Sequence, residues 1–185
     1  MLRFKSHWPK LLLKLFKIPY GKNLALYGYP YILKSADSKI SIGNNCTLRS
    51  DPMSNLLGVS QRAYIIAKNG GKIEIGNNVG ITGSSIYSWS NVKIGDYTII
   101  GTGSKIMDTD FHPLDSELRR NSENDFAKTQ PIEIGENVFI GCNSIILKGT
   151  KIGDNSVVGA GSVVHGEFPD NCVIAGNPAK IIKQN

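Results

Sequence analysis

The residues with most chemical potential lie in one short stretch, DTDFHPLD, where His112 is within four residues of Asp108, Asp110 and Asp115. An imidazole that ionises near neutrality can take the proton of an attacking hydroxyl. A carboxylate or carbonyl on its other ring nitrogen can orient it. The three aspartates are candidates for that role, with solvated loop charges as the alternative. His7 lies in a basic N-terminal segment and His165 at the end of a repetitive tract. No two histidines stand at a ligand spacing, so no metal site is expected. Cys46, Cys142 and Cys172 are far apart and form no CxxC pair. They read as small hydrophobes in a reducing compartment. Lys plus Arg is 21 and Asp plus Glu is 15, a net charge of +6. That excess is modest and is not interleaved with aromatics on one motif, so nucleic acid is not an expected partner.

The elements that must position His112 follow from composition and period. The 185 residues suit one domain. They include 23 Ile and 9 Val but only 14 Leu, five of them in the first 15 residues. That bias predicts a short leucine-rich helix and a long β-rich body. Within the body, Ile134, Ile140, Ile146, Ile152, Val158 and Val164 recur six residues apart. Gly follows at Gly135, Gly141, Gly153 and Gly159, and a small or β-branched residue stands four positions on, as at Ser144, Thr150, Ser156 and Ser162. The same register appears at Ile42, Ile75, Ile81, Ile94, Ile100 and Ile106. A helix repeats at 3.6 and a plain strand at 2. A short strand followed by a sharp corner repeats at six, and three such sides make a coil of about 18 residues that stacks as a parallel β solenoid. The tract from 38 to 166 leaves room for about six coils once its insertion is removed.

Interruptions of the period locate the irregular parts. Residues 50–72 match weakly and are expected to form an irregular coil or loop, and residues 87–93 slip the register by one. The segment 107–131 is polar, charged and aperiodic between two regular tracts. A loop of that length in a compact repeat is usually functional.

The hexads, together with DFHPLD (110–115), IGENVFIG (134–141), GAGSVV (159–164) and AGNPAKII (175–182), resemble the hexapeptide-repeat acyltransferases. Within them the resemblance points to the branch of maltose and galactoside O-acetyltransferases and the capsule and O-antigen acetyltransferases. It implies an all-β, left-handed parallel β-helix assembled as a homotrimer, with acetyl-CoA in the groove between subunits. The expected organisation is an N-terminal amphipathic helix and lead-in (1–37), the repeat (38–166) carrying a catalytic loop (107–131), and a C-terminal tail (167–185). By the same resemblance His112 is the general base. Phe139, Cys142, Ala160, Lys180 and Lys183 match coenzyme A positions, and the backbone around Gly141 and Cys142 matches the oxyanion site. Thr82, Ser84 and Asp110 are candidates on the acceptor side, and Trp89 is an aromatic that either stacks on a sugar ring or packs. Thr82 aligns with an Asn that relatives acting on simple sugars carry, which turns expectation toward a glycan precursor.

The implied activity is transfer of an acetyl group from acetyl-CoA to a saccharide hydroxyl. N-acetylation of an amino sugar and a catalytically silent scaffold are the competing readings. Residues 1–18 set Arg3, Lys5, Lys10, Lys14 and Lys17 among Leu2, Phe4, Trp8, Leu11, Leu12, Leu13, Leu15 and Phe16, and Lys14 and Lys17 interrupt any signal-peptide core. That segment is expected either to pack on its own domain or a neighbouring subunit, or to lie on an anionic membrane surface. The chain reads as cytoplasmic.

Overall fold

A computed structural model describes residues 8–123 and 126–184. In it the hexads are the sides and corners of a three-sided parallel β-helix. The first coil runs through β1 (Ala25–Tyr27), β2 (Tyr31–Lys34) and β3 (Lys39–Ile42), the second through β4 (Thr47–Arg49), β5 (Tyr64–Ala67) and β6 (Lys72–Ile75). The third contains β7 (Gly80–Thr82), β8 (Ser85–Ser88) and β9 (Asn91–Ile94). The fourth contains β10 (Ile99–Ile100), β11 (Lys105–Met107) and β12 (Ile132–Ile134). The fifth is β13 (Phe139–Ile140), β14 (Ile145–Ile146) and β15 (Lys151–Ile152), and the sixth β16 (Val157–Val158), β17 (Val163–Val164) and β18 (Glu167–Phe168). Then β19 (Cys172–Gly176) opens a further turn, and β20 (Ala179–Gln184) folds back antiparallel on it. Corresponding sides stack into three sheets: a first face from β1 to β19 and β20, a second from β2 to β17, and a third from β3 to β18.

The six-residue pattern works because each side points a large side chain inward at the same place in every coil. Ile134, Ile140, Ile146, Ile152, Val158 and Val164 are each at most 3% exposed and stack directly on their register partners. The small residues face inward at the corners, where their hydroxyls bond corner carbonyls. Ser162 Oγ donates to Gly159 O at 2.6 Å and Thr150 Oγ1 to Leu147 O at 2.6 Å. A corner carbonyl buried without a partner would be costly, so Ser and Thr serve there better than Ala. Gly141 is required by its neighbour, since a Cβ there would lie 2.5 Å from the backbone nitrogen of Ala160 in the next coil.

The corner between third and first faces carries a device the period did not reveal. Asn45, Asn78, Asn137 and Asn155 all adopt positive φ, between +53° and +58°, which Asn tolerates better than other L residues. The preceding side chains form a second ladder, in which Asp96 accepts from Asn77 N and Asp154 from Glu136 N, both at 2.7 Å. The Asn77 side-chain amide and N–H hold the Asp96 carboxyl below the usual carboxylate range.

The ladders extend beyond the hexads that are legible in the sequence. They include β1 and β2, upstream of residue 38, and β18 and β19, downstream of residue 166. In the tract 50–72 the irregular part ends at Ala63, and regular pairing resumes at Tyr64. On the third face the outward row Glu74, Lys93, Glu133, Lys151 and Glu167 alternates in sign from strand to strand. The helix α1 (Trp8–Leu15) packs Pro9 and Leu13 against the body. Residues 1–7, including His7, lie outside the described residues. No helix among the described residues is long and apolar enough to cross a membrane.

Truncating one stacked isoleucine leaves a void that coils above and below cannot fill. Ile140→Ala is therefore expected to lower the unfolding free energy by about 2–5 kcal/mol, read from the denaturant midpoint. The exposed neighbour Phe139→Ala, outside the stack, should cost much less.

Candidate active site

The aperiodic segment leaves the solenoid at the corner between the second and third faces of the fourth coil. A narrow neck holds it: Thr109 pairs antiparallel with Thr129, and Asp110 N donates to Lys128 O at 3.1 Å. Below the neck Asp108 is fully buried. Its carboxylate accepts from Ser88 Oγ at 2.6 Å, Trp89 N at 2.7 Å and Ser90 N at 2.9 Å. This explains the slip of one residue at 87–93, because the extra residue turns two N–H groups of the third-coil corner toward the carboxylate. Above the neck Asp110 reaches Lys148 of the fifth coil at 2.6 Å, with both side chains 22% exposed. Asp110 Oδ2 is buried without a hydrogen-bond partner.

His112 is exposed and follows Phe111, whose φ of +61° is unusual for a bulky residue. Two contacts hold that conformation. The Phe111 N–H donates to Thr109 Oγ1 at 3.1 Å, and its ring packs 4.8 Å from Tyr87 and 6.1 Å from Trp89. Trp89 Nε1 donates to the Tyr87 hydroxyl at 3.1 Å. Trp89 therefore works as packing that fixes the loop. Beyond His112, a one-turn helix α2 (Ser116–Arg120) is capped by Asp115, whose Oδ1 accepts from Glu117 N and Leu118 N. Those N–H donors, Leu118 first, hold the Asp115 carboxyl below its usual range.

The three aspartates thus separate by function. Asp108 is committed to the corner and Asp115 to the helix cap. Asp110, two residues before His112, keeps a buried carboxylate oxygen without a hydrogen-bond partner. An apolar groove of about 350 Å³ is lined by Tyr64, Ile66, Tyr87, Met107 and Phe111, the residue before His112. A larger recess of about 780 Å³ lies on the charged third face and contains none of these residues.

The other candidates lie on a different edge. Thr82 ends β7 on the first face and is partly exposed. Ser84 is a correction to the acceptor-side expectation. It is fully buried, with Oγ 2.7 Å from Gly101 O and 2.8 Å from Thr82 O, because it fills the small inward position of its hexad. Cys142 and Ala160 occupy one corner in successive coils, with Gly161 N donating to Cys142 O at 2.9 Å. Phe139 faces outward on the first face, in the row Phe139, Val157, Val173 and Lys183. Lys180 and Lys183 are an odd number of residues apart, which would set them on opposite faces of a regular strand. A bulge between Val173 and Ile174 changes this, pairing Lys183 with Val173 and Lys180 with Ala175. Both lysines therefore face outward, and three strand spacings put Lys183 about 14 Å from Phe139. The Gly141 N–H is spent on Val158 O. His112 and the Phe139 row thus lie at opposite ends of a coil side within one chain.

Lys148 escaped the sequence reading, since a lysine inside a regular hexad gives no signal. The register slip was the visible trace of the Asp108 corner. Asp108→Ala leaves three donors without their acceptor and is expected to cost roughly 3 kcal/mol of stability, measured by chemical denaturation. Asp115→Ala, at an exposed cap, should cost under about 1 kcal/mol.

Comparison with known proteins gives these positions a context. The family model described as "Hexapeptide repeat of succinyl-transferase" matches residues 131–165. Galactoside O-acetyltransferase of Escherichia coli (strain K12) is 44% identical over 93 residues, covering 50% of this chain and 44% of that protein. The enzyme of the same name from Lactococcus lactis is 38% identical over 106 residues, covering 54% and 50%. A galactoside acetyltransferase solved in complex with coenzyme A superposes with a TM-score of 0.58 at 29% identity, covering 95% of this chain and 68% of that one. AntD, an N-acyltransferase from Bacillus cereus solved with a dTDP-amino sugar and coenzyme A, has a TM-score of 0.72 at 23% identity, covering 100% and 91%. That second likeness shows the fold alone. The chain spans about half the length of the curated relatives it matches. The repeat, its parallel coils and these matches make the chain similar to the hexapeptide-repeat acetyltransferases, the galactoside O-acetyltransferases among them.

Proposed function

We propose that this protein transfers an acetyl group from acetyl-CoA to a hydroxyl of a saccharide or glycan precursor, with His112 as general base. The observation that carries the reading is the placement of His112. It is an exposed imidazole on a loop pinned to the coil below through Asp108 and to the coil above through Lys148. A neutral hydroxyl attacks a thioester poorly until its proton has somewhere to go. His112 accepts that proton as the oxygen adds to the carbonyl carbon. The tetrahedral intermediate then expels the coenzyme A thiolate, which takes the proton back from the imidazolium. Asp110, through its unpaired oxygen, receives an acceptor hydroxyl.

Coenzyme A runs along the first-face edge. Cys142 and Ala160 offer backbone to the pantetheine amides, Phe139 flanks its apolar part, and Lys180 and Lys183 meet the phosphates as point charges. The Cys142 N–H, rather than the committed Gly141 N–H, faces the developing oxyanion. The galactoside acetyltransferase solved with coenzyme A supports coenzyme A as the co-substrate. Because His112 and this edge are apart within one chain, the complete site forms between copies, and a closed homotrimer places the loop of one beside the first face of the next. The exposed Ile99 and Phe139 on that face suit such a contact.

Release of coenzyme A thiol from acetyl-CoA, with a panel of saccharides, amino sugars and lipid-linked glycans, tests the reading. His112→Ala is expected to lower acceptor-dependent kcat by about 10²–10⁴ while still binding acetyl-CoA. Lys180→Ala with Lys183→Ala should raise KM for acetyl-CoA roughly tenfold or more with little change in kcat. Acceptor-dependent release that survives in His112→Ala removes this residue as the base. Release with amino sugars alone converts the reading to N-acetylation.

A further inference from the structure

The helix α1 carries a second apolar stripe that the solenoid does not use. Pro9 and Leu13 face the body and are buried, whereas Trp8, Leu11, Leu12 and Leu15 recur at i, i+3, i+4 and i+7 and are all exposed, Leu15 to 71%. Phe16 extends the stripe at 46% exposure. Lys10, half-buried, and Lys14, exposed, lie beside the stripe, Lys17 follows the helix, and the first turn holds no acidic residue. An apolar stripe flanked by lysines, with the globular domain on its other side, is the form of a helix that lies in an interface rather than in a core.

Just beyond the helix, Lys17, Lys34, Lys39 and Lys72 surround a recess of about 450 Å³ with Glu74 as its only carboxylate. Lys39 and Lys72 are register partners on adjacent parallel strands, so two like charges face each other directly, an unfavourable arrangement. The next row of the same sheet alternates Glu and Lys from Glu74 to Glu167. The fold pairs its charges along one row and leaves four lysines together at the end nearest α1. Among the described residues the ion pairs are Lys148–Asp110 and Lys151–Glu167, neither of them in this recess.

We propose that the N-terminal end of the solenoid docks on an anionic phospholipid surface, with the Trp8–Leu15 stripe entering the interface and the lysine recess holding headgroup phosphates. Charge complementarity selects this occupant over a second copy, because a self-contact through this end would bring one lysine cluster toward another. The inference is independent of the acyl-transfer reading, since none of these residues belongs to the candidate active site.

Sedimentation of the full chain with phosphatidylcholine vesicles, with and without phosphatidylglycerol, tests it. The wild type is expected to pellet with the anionic vesicles, and about 1 M salt, where the Debye length is about 3 Å, should weaken that binding. Lys39→Gln with Lys72→Gln should lower apparent lipid affinity roughly tenfold or more. Leu11→Ser with Leu15→Ser, both at exposed positions, should lower it comparably while leaving the native mass unchanged. Three outcomes would overturn the proposal: no pelleting of the wild type, equal pelleting with neutral and anionic vesicles, or binding that both double variants leave intact. A drop in native mass for the leucine variant would also overturn it, by showing that another copy covers the stripe.

Discussion

The interior of this solenoid takes large aliphatic side chains in the same columns on every side and small ones at the corners, and every other feature depends on that allowance. Ile and Val stack in columns with near-zero exposure, while Ser and Thr tie corner carbonyls from within. A coil built this way contacts only its neighbours, so stability accumulates coil by coil. It also means that an insertion is tolerated only at a corner, where it leaves the columns intact. Both long interruptions obey this rule. Residues 50–63 leave between the first and second faces, and residues 108–131 leave between the second and third.

An insertion at a corner still has to be held, and Asp108 shows how. A loop of this length tethered only at its ends would sample many positions, which suits a linker better than a base that must meet a substrate within hydrogen-bond distance. Burying a carboxylate is costly unless its oxygens are satisfied. Here three donors from the coil below satisfy it, so the coil that turns around Asp108 and the loop that rises from it form one unit. Phe111 continues the same arrangement, with its positive φ held by the Thr109 hydroxyl and the Tyr87 ring. The unusual backbone falls on the residue before His112, where an observed strain has functional meaning.

What the sequence disclosed followed physical rules. The columns were legible because a large aliphatic residue every sixth position has no other explanation, and the loop was legible as the absence of that period. The left-handed corner Asn residues stand in every IGNN and IGEN, but a period of apolar and small positions carries no sign of them. Ser84 escaped for a different reason: Ile81 to Ile86 is one residue short of a hexad, so the small inward position that the period puts at Ser85 falls on Ser84. The outward placement of both Lys180 and Lys183 was beyond sequence reasoning, since it depends on a bulge in the pairing of β19 with β20. Lys148 was equally hidden, because contact with Asp110 requires the loop neck to bring residues 38 apart into one ion pair.

The separation of the two halves of the site carries the widest consequence. A coil side fixes how far apart its corners lie, so no adjustment of side chains within one chain brings His112 to the edge that holds Phe139, Cys142 and Lys183. On the proposed reading, a monomer with this architecture would present a base without a donor site and a donor site without a base. In the proposed homotrimer, rotation of identical copies about a common axis would resolve the mismatch, because each copy would offer its loop to one neighbour and its first face to the other. On this argument assembly is part of the chemistry. Substitutions that loosen the contact between copies would remove activity without touching any group that handles the proton or the acyl carbon.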